Sequence, residues 1–209
     1  DLFDIKGFWM TKTGDFVKKS AVDASELSTG PDGKSGTYDD GLPRTFDEFF
    51  ALLDHMVESG TTPFTASGMY KGYATSAMYQ LWADIEGREQ FYLNYSFDGT
   101  AKTLINEMEG DGAPVNGKYT NLMPPTAITA ENGNLLQRQA GKYVALDFMK
   151  RLVSNPKYYS QDAFSPAIDH LTTQDHYLFS RLNPTTNNPY AILLEGVWWE
   201  NEADETGFF

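Results

Sequence analysis

The sequence has no cysteine, which excludes disulfides, thiolate nucleophiles and cysteine-ligated zinc. It is also poor in positive charge. Across 209 residues, 16 Lys and Arg stand against 29 Asp and Glu, a formal net charge of −13. Nucleic-acid phosphates and anionic membranes are both bound through clustered Lys and Arg, so this balance argues against either partner. No apolar run approaches the roughly 20 residues that a membrane-spanning helix needs. Histidine occurs three times, at His55, His170 and His176. The last two sit about 240° apart around a helix and do not share a metal from one face. His55, beside Asp54, reads as a solvent-face residue. Neither a phosphate-cradling glycine loop nor a GxSxG elbow is present. The stretch Asp32 to Asp40 lacks calcium-loop spacing. No metal, cofactor or catalytic residue is expected from these patterns.

Aromatic surface, in contrast, is abundant: 14 Phe, 12 Tyr and 4 Trp, with 41% of residues apolar. That excludes wholesale disorder. The rings read either as a Phe-rich core with Tyr at its margin or as a surplus of stacking surface for a ligand with apolar faces, such as a sugar ring. The length suits one domain over 1–209.

Along the chain, Ile5 to Met10 reads as a short buried strand. Thr29 to Gly41 is dense in turn residues and reads as a loop. Thr45 and Glu48 form a capping box for a helix over about 46–59, with Phe46, Phe49, Phe50, Leu53, Met56 and Val57 at helical spacing and Gly60 closing it. A short strand at Thr61 to Ser67 runs into Gly68. A second helix spans about 73–87, with Trp82 in its core stripe. Phe91 to Phe97 reads as extended, and 110–133 as a long Gly/Pro-rich surface excursion. A third helix covers about 134–153. Ser165-Pro166 opens a fourth that runs to about Leu182. After a loop over 183–189, Tyr190 to Leu194 is an apolar run that fits a buried strand. Helices separated by short apolar strands point to an α/β fold.

The candidate site follows from two strand ends. Ligands of α/β sheets bind beyond the carboxyl ends of strands. The run Tyr190 to Leu194 delivers Glu195, Gly196, Trp198 and Trp199, and the strand through Phe64 delivers Met69, Tyr70 and Tyr73. Adjacent Trp198 and Trp199 do not both face one core in an extended chain. Glu195, Glu200 and Glu202 are the carboxylates beside clustered aromatics. Sugar rings present C–H faces that stack on such rings and hydroxyls that carboxylates and amides order.

Gly41-Leu42-Pro43-Arg44-Thr45-Phe46-Asp47-Glu48-Phe49 resembles a helix start found in extracellular (family 1) solute-binding proteins of carbohydrate ABC importers. Gly60-Thr61-Thr62-Pro63-Phe64 resembles the strand that follows that helix. Ala191 through Asn201, with Gly196 and Trp198, is similar to the family's later strand and turn. The order and intervals fit over roughly 40–205. The resemblance implies a helix-rich lobe of a type II periplasmic-binding-protein-like fold. It implies that the chain corresponds to most of the second lobe of a longer, two-lobed protein. The first lobe's opening strands, a lipoprotein signal and the C-terminal helices would then lie outside it.

By the same resemblance Trp198 stacks on the sugar, Tyr70 or Tyr73 adds a second ring, and Glu195 reaches a hydroxyl. Trp199 belongs to the same ligand-binding segment. The implied partners are a mono- or oligosaccharide and the ABC permease subunits. The implied state is a monomer, extracellular as a cell-surface lipoprotein, or periplasmic. A lone lobe is expected to bind sugar weakly or undetectably. Residues 29–41 and 110–133 depart from the family pattern. The competing readings are a glycosidase-like enzyme, which needs two carboxylates about 5–10 Å apart in one cleft, and a protein-interaction module, in which Trp198 and Trp199 belong to a protein interface.

Overall fold

The computed structural model describes residues 1–106, 119–183 and 188–205. In chain order its elements are α1 (Leu2–Lys6), β1 (Trp9–Met10), β2 (Phe16–Val17), α2 (Phe46–Glu58), β3 (Thr62–Thr65), α3 (Gly72–Glu86), α4 (Arg88–Ser96), β4 (Gly99–Ala101), β5 (Thr126–Ile128), α5 (Ala140–Ser154), α6 (His170–Ser180), β6 (Tyr190–Leu193) and α7 (Trp199–Glu205). The fold is mixed α/β, with small two-stranded sheets among many helices. Two compact units emerge: Asp1–Tyr73 with Asn155–Phe209, and Ala74–Ser154. No helix among the described residues is long and apolar enough to cross a membrane.

In the first unit, β3 and β6 run parallel, with Thr62 opposite Tyr190 and Thr65 opposite Leu193. On its other side Phe64 bridges Tyr159, and its carbonyl accepts from the Ser160 amide. All four β3 residues are buried, as an interior strand of a parallel sheet requires. Helix α2 covers this sheet. Its Thr45 cap accepts from the Glu48 amide, as the sequence predicts. The Glu48 carboxylate reaches one residue further back, accepting from the Arg44 amide and pairing with the Arg44 guanidinium. Leu53 and Met56 are fully buried, each contributing about 1.5–3 kcal/mol. Tyr158 donates its hydroxyl to Asp54 at 2.7 Å, tying the far segment back to α2.

The second unit packs Leu93, Ala101, Leu104, Ile128 and Leu136 together. Strands β4 and β5 pair antiparallel in it. Gln139 is fully buried. Its amide donates to the Gln90 carbonyl at 2.7 Å and accepts from Asn94 at 2.7 Å.

Several expectations are corrected. Ile5 to Met10 is not one strand. Asp1 caps a helical turn by accepting from the Phe3 amide, and Gly7 ends it in the left-handed region at φ 73° before β1 begins. Short apolar runs are ambiguous in period. Phe91 to Phe97 lies largely in helix α4, where Phe91 and Tyr95, one turn apart, make an edge contact at 5.9 Å. The helix expected over 134–153 is a 3-10 turn at Gly133–Arg138 followed by α5, broken where buried Gln139 bonds to α4. Ser165-Pro166 makes a turn, and α6 begins at His170 with Asp169 accepting from the Thr172 amide at 2.8 Å. Within the expected excursion 110–133, Thr126–Ile128 is strand β5. His55 is not turned to solvent: it stacks on Phe16 at 4.6 Å and meets Phe8 edge-on. Residues 110–118 of that excursion, 184–187 of the 183–189 loop, and 206–209 lie outside the described residues.

Candidate functional site

The parallel β3–β6 pair sends both of its carboxyl ends the same way. Beyond β3 the chain passes Ala66, Ser67 and Gly68 to Tyr70. Beyond β6 it passes Leu194, Glu195 and Gly196 to Trp198. The Leu194 amide still donates to the Thr65 carbonyl, so the two exits begin side by side. Each exit is then pinned. The buried Ser67 hydroxyl donates to the Ile168 carbonyl at 3.0 Å and accepts from the Tyr70 amide at 3.2 Å. Gly68 lies so near the 162–165 backbone that an added Cβ would sit 2.3 Å from the Ser165 carbonyl oxygen. On the other exit, the amides of Asn201 and Glu202 both donate to the Trp198 carbonyl, which starts α7.

Four of the five expected site residues come together. Tyr70 meets Tyr73 edge-on at 6.5 Å between ring centroids, and Tyr73 meets Trp198 at 6.4 Å. Trp198 is half exposed, at 49%, and Tyr70 nearly so, at 46%. Glu195 stands beside Tyr73. Burial first, then the neighbouring Glu195 carboxylate and the charge of Glu202, push the Tyr73 phenol up to about 12. The fifth, Trp199, turns away and packs perpendicular to Tyr177 of α6 at 6.1 Å. The alternation expected of an extended segment is here the work of a turn that opens into α7. One indole stays at the site and the other anchors the helix.

Three further residues belong to the site. His170, at the start of α6, meets Tyr70 edge-on at 5.4 Å, and its Nε2 lies 3.8 Å from Glu202 Oε1. Gln174, one turn on and fully buried, donates from Nε2 to Glu202 Oε2 at 2.9 Å. Glu202 was legible as a carboxylate beside aromatics. Gln174 was not, because α6 buries Thr173 and Gln174, a polar face that hydrophobic periodicity overlooks. His176 faces elsewhere, its Nδ1 2.8 Å from Asp162. Among the described residues no group of three or more His, Cys, Asp or Glu is arranged to hold a metal ion.

The second unit carries an aromatic surface of its own that the sequence reading did not single out. A groove of about 310 Å³ is lined by Ala83, Asp84, Arg88, Phe91, Tyr92 and Tyr95. Tyr92 and Tyr95 are 63% and 69% exposed. An extended reading of Phe91 to Phe97 hides this helical face. The exposed rings of α4 were its available signal.

Compared with protein-family models, curated proteins and solved structures, the chain finds no match.

Proposed function

We propose that the chain is the sugar-contacting part of the substrate-binding component of a carbohydrate ABC importer, corresponding to most of the second lobe of a type II solute-binding fold. One observation carries the reading. Two parallel strands deliver Tyr70, Tyr73, Glu195 and Trp198 to a single end of their sheet. Half-exposed rings stack on the C–H face of a sugar, and the carboxylates beside them order hydroxyls. The role is binding without catalysis. Its partners are a mono- or oligosaccharide and membrane permease subunits, and the protein acts as a monomer outside the cytoplasmic membrane, lipid-anchored or periplasmic.

Titration of the full-length protein with mono- and oligosaccharides, followed by tryptophan fluorescence and ligand-observed NMR, tests this. Saturable binding of a sugar is expected. Trp198→Ala abolishes it, and Trp199→Ala, whose ring packs on Tyr177, lowers stability while leaving residual binding. Turnover of the sugar, slowed by Glu195→Gln or Glu202→Gln, would favour the glycosidase-like reading instead. No response to any sugar by the folded protein would favour an interaction surface.

A further inference from the structure

We propose that the ligand of this site carries a protonated amine, so that the site selects an amino sugar over its neutral counterpart. The inference rests on the sugar-binding reading above and adds the ligand's charge. It starts from which polar atoms find no partner among the described residues. Glu195 accepts from the Gly196 amide through Oε1 at 2.8 Å, while its Oε2 is buried with no partner. Gln174 is wholly buried and aims its amide at Glu202: Nε2 is used, and Oε1 has no partner. The Nδ1 of His170 is also buried and unpartnered. The unanswered oxygens of Glu195 and Gln174 are both acceptors.

A hydroxyl brings one donor and two lone pairs, whereas an ammonium brings three donors and no acceptor. Charge sharpens the choice. Glu195 and Glu202 are carboxylates, and among the described residues no lysine or arginine pairs with either. Buried acceptors without donors are costly, and a bond from a cation to a carboxylate is among the stronger hydrogen bonds available. The rings of Tyr70, Tyr73 and Trp198, needed for a sugar face, attract a cation equally well. Gln174 fixes the Glu202 carboxylate, so the acceptors are held in place before the ligand arrives.

The test compares four probes on the full-length protein in neutral buffer, where the amines are largely charged. They are a β-linked glucosamine disaccharide, its N-acetylated form, the matching glucose disaccharide, and spermidine. Affinity is read from ligand-observed NMR and tryptophan fluorescence. The glucosamine disaccharide is expected to bind about tenfold tighter, or more, than either neutral sugar. Glu195→Gln and Glu202→Gln are expected to erase that margin, weakening the glucosamine disaccharide more than the neutral sugars. Equal or tighter binding of a neutral sugar overturns the amine inference and leaves the sugar reading standing. Spermidine binding as tightly as the glucosamine disaccharide keeps the cation site and overturns the sugar reading. No binding by any probe overturns both. The comparison on the unaltered protein decides among these outcomes even where a variant does not fold.

Discussion

The indole of Trp198 lies directly over Gly196: a Cβ built on Gly196 would fall 2.3 Å from two of its ring carbons. A glycine two residues before the tryptophan thus gives the ring its seat, and that seat sets the ring's approach to Tyr73 at 6.4 Å. Gly196 is not held in the left-handed region, so alanine meets no backbone strain there. What blocks the methyl is the outer edge of a half-exposed ring, which can swing away. Gly196→Ala is therefore expected to displace the Trp198 indole and cut ligand affinity by about tenfold or more, at a cost in stability of under about 1 kcal/mol. Melting temperature and sugar titration, measured on one preparation, check both halves. An unchanged affinity would mean that the ring does not stack on the ligand.

Much of this site was readable because its positions are set by chain order and strand direction. Tyr190 to Leu194 is a short apolar run, and the segment beyond such a strand is a place where ligands bind. That argument reaches Glu195 and Trp198 without knowing what lies alongside. The partnership of Tyr73 with Trp198 needed β3 and β6 to be parallel neighbours, a pairing more than a hundred residues apart in sequence. The capped helix α2 was legible because Thr45 and a regular apolar stripe agree. Helices α4 and α6 were misjudged for a shared reason. Rings on α4 face outward at Tyr92 and Tyr95, and α6 buries Thr173 and Gln174, so the apolar period does not mark the inward face of either. At α6 the Ser165-Pro166 pair also competed with Asp169 as the start signal, and the aspartate holds the Thr172 amide.

Glu86 is a buried carboxylate of the second unit. It accepts from the Gly141 amide at 2.5 Å and from the Thr103 hydroxyl at 2.5 Å. Burial, outweighing those two bonds, holds its pKa above the ordinary glutamate value. The neutral form is therefore the one the fold favours. Its stabilising contribution is complete below the unfolded value, near 4.5, and is lost as pH rises through the folded one. Glu86→Gln keeps the acceptor for Gly141 and offers an amide to Thr103, so it is expected to remove this pH dependence and to be at least as stable as the parent at neutral pH. Glu86→Ala strands the Gly141 amide and is expected to cost about 1–3 kcal/mol. Denaturant unfolding of the three proteins from mild acid to neutral pH distinguishes them, and a Gln variant as weak as the Ala variant would refute the argument.

Gly68 is the counterpart of Gly196 on the other strand exit, and the two should respond differently to the same substitution. A methyl on Gly68 would meet backbone on every side: the Ser165 carbonyl oxygen at 2.3 Å, the Asp162 carbonyl oxygen at 2.5 Å and the Ser165 amide nitrogen at 2.7 Å. None of these is the free end of a side chain. The 162–165 segment is fixed by its own turn, in which the Ser165 amide donates to Asp162. Relief must come from moving the loop as a whole, and that loop carries the Ser67 bonds that hold Tyr70. Gly68→Ala is therefore expected to destabilise the first unit by about 1–3 kcal/mol, the range for forcing an extra carbon into a packed region, and to move Tyr70. Amide hydrogen exchange should report the loss of protection at Met69 and Tyr70, whose amides are bonded to Ile168 and Ser67. A Gly68→Ala protein with native stability and native protection there would show that the two segments do not approach as closely as described.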